Sequence, residues 1–154
     1  MPNKLKNGSL LKWWLLIVLT GAGIVIANYF DGLLFVYEND ITKLSFVIAG
    51  LFVLTSAVIG YKIFSDGEGV SLSYEGEWLI SEHLLSLGLL GTVCSLAYSF
   101  YAGFQNLDIG NVESAQNVIA ALSSGLAAAF VTTIVGLSFS MILKSQLVIA
   151  ESGT

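Results

Sequence analysis

Apolar and polar residues do not alternate along this chain; they fall into four long apolar blocks separated by short polar stretches. The blocks run from Trp13 to about Phe30, from Leu44 to about Tyr61, from Leu84 to Phe104 and from Val118 to Leu143. An α-helix rising 1.5 Å per residue needs about 20 apolar residues to cross a bilayer, and each block meets or approaches that length. A membrane-barrel strand would show a period of two, which is absent. The pattern therefore predicts an all-α integral membrane protein, with four transmembrane helices in a single membrane domain spanning residues 1–154. The polar stretches read as connections. Asp31 to Lys43 is an outer loop, and Gly103 to Asn117 is an outer turn. Between them, Ile63 to Glu82 is an inner loop rich in glycine and acid (Asp66, Glu68, Glu75, Glu77, Glu82), too short for a folded domain.

Composition narrows the function. The 154 residues are 55% hydrophobic and 11% charged, and the mean hydropathy is +0.82. A soluble domain carries about 25% charged residues, so this chain has too few ions to cover a water-facing surface. Six basic residues, all lysine, stand against eleven acidic ones, for a net charge of −5. A nucleic-acid binder would need a clustered basic face. One cysteine, Cys94, excludes an intrachain disulfide and the multi-cysteine metal motifs, and one histidine, His83, excludes a His-pair zinc site, so no metal or other cofactor is expected.

The lysines also orient the chain. Lys4, Lys6 and Lys12 precede the first block, Lys62 ends the second and Lys144 ends the fourth; Lys43 alone falls on the opposite side. By the positive-inside rule both termini are cytoplasmic. The first block has the basic start of a signal peptide and a cleavage-like triplet, Val25-Ile26-Ala27. It is long for such a segment, however, and reads as a retained helix. Trp13 and Trp14 beside Lys12, and Trp78 before the third block, suit interfacial anchors. Tyr98, Phe100, Tyr101 and Phe104 mark the outer interface in the same way.

No Asp, Glu, Lys or Arg lies in the hydrocarbon portion of any block. An ion carrier normally keeps an ionisable residue at depth, so a proton pathway here needs an acid from another polypeptide or from the membrane edge. The third and fourth blocks instead carry small and hydroxylated residues. Thr92, Ser95 and Ser99 share one helix face, as do Thr133, Gly136 and Ser140. Thr92 lies roughly 12 Å, and Thr133 roughly 15 Å, from the inner edge of its helix, so antiparallel neighbours would bring the two hydroxyls to one level. Two readings stand side by side: hydroxyls lining a path, or local glue bonded to the carbonyl one turn back. Glu82 and His83 read either as a cytoplasmic proton relay or as an interfacial pair in water. Cys94 reads as a small packing residue. The acidic loop reads as a solvated connector or a docking site for a cytoplasmic protein.

The stretch Leu87-Gly88-Leu89-Leu90-Gly91-Thr92-Val93 resembles the Leu-Gly-x-x-Gly-Thr-Val signature of the MotA/TolQ/ExbB proton-channel family, on the helix leaving the cytoplasm. Gly125 to Leu137 (GLAAAFVTTIVGL) is similar to that family's returning helix. The likeness covers about residues 84 to 145. It implies a ring of five subunits around two copies of a single-pass partner, whose membrane Asp takes up and releases protons. The ring would act as the stator of a motor driven by proton motive force in a bacterial inner membrane. The resemblance puts pore threonines at Thr92 and Thr133, with Thr132 beside them, and close helix packing at Gly88, Gly91, Gly125 and Gly136. The transported species would be protons, with sodium as the alternative. Four crossings look more like the MotA branch than the three-crossing branch. Yet the large cytoplasmic domain of MotA-type subunits is absent between the second and third helices. The Glu common in the ExbB branch is Ala128 here, and the Pro that often follows is Ile142. A passive structural or holin-like pore-forming protein is the alternative function. An intramembrane enzyme has least support, for want of an acid pair or a Ser with a His at depth.

Overall fold

The computed structural model describes residues 2–40, 42–65, 73–105 and 110–152, with side chains from residue 8 onward. The described residues form five helices: α1 (Pro2–Tyr29), α2 (Gly32–Asn39), α3 (Leu44–Ser65), α4 (Glu75–Phe104) and α5 (Val112–Glu151). Among them α3, α4, α5 and the Gly8–Tyr29 part of α1 are long and apolar enough to cross a membrane. The architecture is all-helical, as the four apolar blocks predict, and suits a multi-pass membrane protein.

Three connections differ from the sequence expectation. The outer loop Asp31–Lys43 contains α2, because Leu33 to Val36 continue the apolar run beyond a kink. Asp31 sits in the left-handed region at φ 56°. Gly32 follows so closely that a Cβ there would lie 2.6 Å from the Ala27 carbonyl oxygen. The inner loop is shorter than expected, since α3 runs on to Ser65 and α4 starts at Glu75. A helix need not stop where its apolar face does, and Glu75 and Glu77 in the first turn of α4 favour the helix dipole there. Asp66 and Glu68 lie outside the described residues. The outer turn also shrinks, because α5 begins at Val112, where the Asn111 side chain caps it by accepting from the Glu113 N–H at 2.9 Å.

The core sits toward the Lys62 end of the bundle. Ile48, Phe52, Ile59 and Ile63 of α3 meet Leu84 of α4 and Leu143, Leu147 and Ala150 of α5. The Phe52 and Phe139 rings stack with centroids 4.5 Å apart. Polar contacts fasten this end: Lys62 pairs with Glu77 at 2.6 Å and donates to the Ser73 carbonyl at 2.7 Å. Trp78 Nε1 donates to Glu151 at 2.6 Å. Glu77 is therefore buried and paired rather than part of a solvated connector, because the extended α4 carries it onto the end of α3. Buried Ser56 donates to Gln146 Oε1 at 2.9 Å, joining α3 to α5. At the opposite end Asp40 is fully buried. Its carboxylate accepts from the Thr42 hydroxyl at 2.9 Å and the Ser45 N–H at 2.7 Å, fixing the start of α3.

Helix α1 is the least packed. No residue of its apolar window is buried, although Trp13 packs against the core, and Leu11, Leu15, Val18, Leu19 and Val25 are left for lipid or a neighbour.

Candidate functional site

The longest helices, α4 and α5, make the tightest pairing. Gly88 meets Gly136, Ser99 meets Gly125 and Gly103 meets Val118, so rising positions on α4 pair with falling ones on α5 and the helices are antiparallel. The buried stripe on α4 is Ser81, Leu84, Gly88, Gly91, Ser95, Ser99 and Gly103, a spacing of three and four. Small residues at that spacing let two backbones approach closely. A Cβ on Gly136 would lie 2.8 Å from Gly88 Cα and 2.8 Å from the Leu84 carbonyl oxygen, so the backbones leave no room for a side chain. At Gly125 the Ser99 side chain takes the space, and at Gly91 the Thr132 side chain does.

Close approach sets the chemistry beside the seam. The half-buried Thr92 and Thr133 hydroxyls hydrogen-bond to each other across it. Thr92 Oγ1 also lies 3.0 Å from the Gly88 carbonyl oxygen and 3.2 Å from that of Ala129. Thr133 Oγ1 lies 3.2 Å from the same Ala129 oxygen. The pair lies on a side flanked by Leu89 of α4 and Leu126, Phe130 and Leu137 of α5, all exposed. Two hydroxyls thus form a polar spot on an apolar face. A hydroxyl donates one proton and accepts through two lone pairs, so this spot can donate to a carboxylate or accept from a carboxylic acid. Neither threonine titrates.

The other expected residues are placed differently. Thr132 is adjacent in sequence but turned to the opposite side of the seam. It is fully buried, packs under Gly91 and donates to the Ala129 carbonyl at 3.0 Å. Glu82 and His83 are both exposed near the start of α4, and among the described residues they make no hydrogen bond with each other. His83 Nδ1 lies 2.7 Å from the Leu79 carbonyl oxygen, which engages the ring within its own helix. Cys94 is exposed rather than packed, because two residues carry it more than half a turn from Thr92. No cluster of His, Cys, Asp and Glu able to hold a metal exists among the described residues.

Sequence reasoning missed the Ala129 carbonyl, on which three threonine hydroxyls converge. Part of that signal was present: Thr132 and Thr133 stand three and four residues after Ala129, the two spacings at which a hydroxyl reaches back to a helix carbonyl. The third arm, from Thr92, exists only through tertiary packing.

No curated protein and no solved structure matches the chain. Residues 84–147, which hold the Gly88–Gly136 contact and all three threonines, match the MotA/TolQ/ExbB proton channel family.

Proposed function

We propose that this chain is the ring subunit of a membrane motor driven by proton motive force, conducting protons with a single-pass partner that carries a membrane Asp. The observation that carries this reading is the Thr92–Thr133 pair, open on one side, in spans that contain no charge of their own. A carboxylate at depth is expensive. Hydroxyl donors waiting at the same level lower that expense, and the same oxygens accept from the protonated acid. The partner's acid therefore keeps a hydrogen-bonding companion in both of its states. A charge crossing 100 mV releases about 2.3 kcal/mol, which biases each protonation cycle in one direction.

In this reading five copies surround two partner helices. The open apolar face of α4 and α5 lines the ring interior, and α1 meets lipid. The termini lie in the cytoplasm of a cell with a bacterial-type inner membrane. The chain acts as a stator rather than an enzyme and takes no cofactor; protons, or sodium in their place, are the species moved. The short α3–α4 connection leaves no large cytoplasmic domain between these helices, so the work goes to something other than a flagellar-type rotor.

The test is substitution of Thr92 or Thr133 by valine, which keeps shape and removes the hydroxyl. Partner-dependent proton flux is expected to be abolished while assembly, counted by native mass spectrometry, is unchanged. Wild-type flux in either variant refutes the assignment. Purified rings that conduct with no copurifying single-pass protein favour the holin-like alternative.

A further inference from the structure

Thr132 points away from the open face, yet it touches the same acceptor as the pair that lies there. We propose that Thr132 is a positioning residue, setting which way the Thr92 and Thr133 hydroxyl protons point. The inference rests on the proton-conducting role proposed for that pair.

The Ala129 carbonyl has two lone pairs. Within α5 one takes the ladder bond from the Thr133 N–H, as in any helix interior. Three hydroxyls compete for what remains: Thr132 at 3.0 Å, and Thr92 and Thr133 at 3.2 Å each. Ala129 is fully buried, so water does not share this acceptor. Among the described residues Thr132 donates to Ala129 alone and is fully buried too, so leaving its proton unbonded is costly. Thr92 and Thr133 each have an alternative. Thr132 therefore holds the second lone pair and displaces the other two.

The consequence is a direction. With Ala129 occupied, the Thr92 proton turns to the Gly88 carbonyl at 3.0 Å, and the Thr133 proton turns to the Thr92 oxygen. The chain runs from Thr133 through Thr92 to Gly88, and the Thr133 oxygen receives nothing from within the protein. It is left free to accept from an acid on the open face. Without the Thr132 hydroxyl the reverse order, from Thr92 through Thr133 to Ala129, becomes equally available and Thr92 presents the free oxygen. The threonines neither gain nor lose a net proton in either order.

Two variants separate orientation from packing. Thr132→Val keeps the methyl group under Gly91 and deletes the hydroxyl; Thr132→Ser does the opposite. Ala129-Phe130 is the only Ala-Phe step in the chain, so carbonyl-13C alanine with 15N phenylalanine isolates the Ala129 carbonyl by solid-state NMR of the full chain in bilayers. Its resonance is expected to move upfield in Thr132→Val and to stay in place in Thr132→Ser. Proton flux with the copurified partner is expected to fall between about threefold and twentyfold in Thr132→Val, the range one interhelical hydrogen bond contributes, here that of the Thr92–Thr133 pair Thr132 orients, and to be restored in Thr132→Ser. An unmoved carbonyl in Thr132→Val overturns the inference, and so does a moved carbonyl with wild-type flux. Either result leaves the proposed function standing if Thr92→Val still abolishes flux. Wild-type flux in Thr92→Val overturns the function itself and the positioning role with it.

Discussion

Gly136→Ala tests the seam on which the site depends. The added methyl would stand 2.8 Å from Gly88 Cα and 2.8 Å from the Leu84 carbonyl oxygen, both backbone atoms that no rotamer change can move aside. Ordinary carbon contacts lie at about 3.5–4.0 Å, so the helices must separate by several tenths of an ångström or more. Overpacking of this kind costs about 1–3 kcal/mol. Gly21→Ala on α1 is the matched control, because a Cβ there meets nothing within 4 Å. The control gains about 0.5–1 kcal/mol from helix propensity alone. Reversible unfolding in mixed micelles, followed by circular dichroism, should place Gly136→Ala below the wild type and Gly21→Ala at or above it. The separation of α4 from α5 also pulls Thr92 away from Thr133, so flux falls in the first variant only. If Gly136→Ala matched Gly21→Ala in stability, the close approach inferred at Gly88 and Gly136 would be wrong.

Two further perturbations address the ends of the bundle. Burial alone would raise the Asp40 carboxyl, but hydrogen bonds from Ser45, Thr42 and Lys43 outweigh it and hold the group below the usual carboxylate range. A lowered folded value means stabilisation that is present above the unfolded pKa and lost as pH falls through the folded one. Asp40→Ala should therefore cost about 0.5–2 kcal/mol at neutral pH, with the gap to wild type closing in acid, as measured by unfolding across a pH series. Lys62→Met leaves the Glu77 carboxylate, 6% exposed, without its partner. It should destabilise by about 3 kcal/mol, while the double replacement Lys62→Met with Glu77→Leu recovers most of the loss in the same assay.

Much of this molecule is legible from its sequence, and the illegible parts share a cause. The four spans follow from apolar run length, because lipid admits few alternatives to a helix. Helix ends do not follow, since Glu75 to His83 and Val112 to Asn117 are polar yet helical, and hydropathy reports the membrane rather than the backbone. The burial of Glu77 was hidden for the same reason: a charged residue next to a loop looks solvated until α4 is known to extend past it. Within the site, residue spacing placed Thr92 and Thr133 on comparable levels, because a straight helix converts residue count into height. The family resemblance also grouped Thr132 with them, since neighbours in sequence look alike until the seam shows which side each one takes. The side depends on the Gly88–Gly136 contact, a property of two helices together.

The uninterrupted course of α5 has a mechanical meaning. Forty residues of helix without a break extend roughly 60 Å, about twice the hydrocarbon thickness. Thr133 and Glu151 lie on one rigid rod, roughly 27 Å apart along its axis. Glu151 is fastened to Trp78 of the neighbouring helix, so the far tip of α5 is tied to α4 and the rod has no joint between the hydroxyls and that tip. Under the proposed function, a tilt begun at Thr133 would be delivered outside the bilayer without being absorbed on the way.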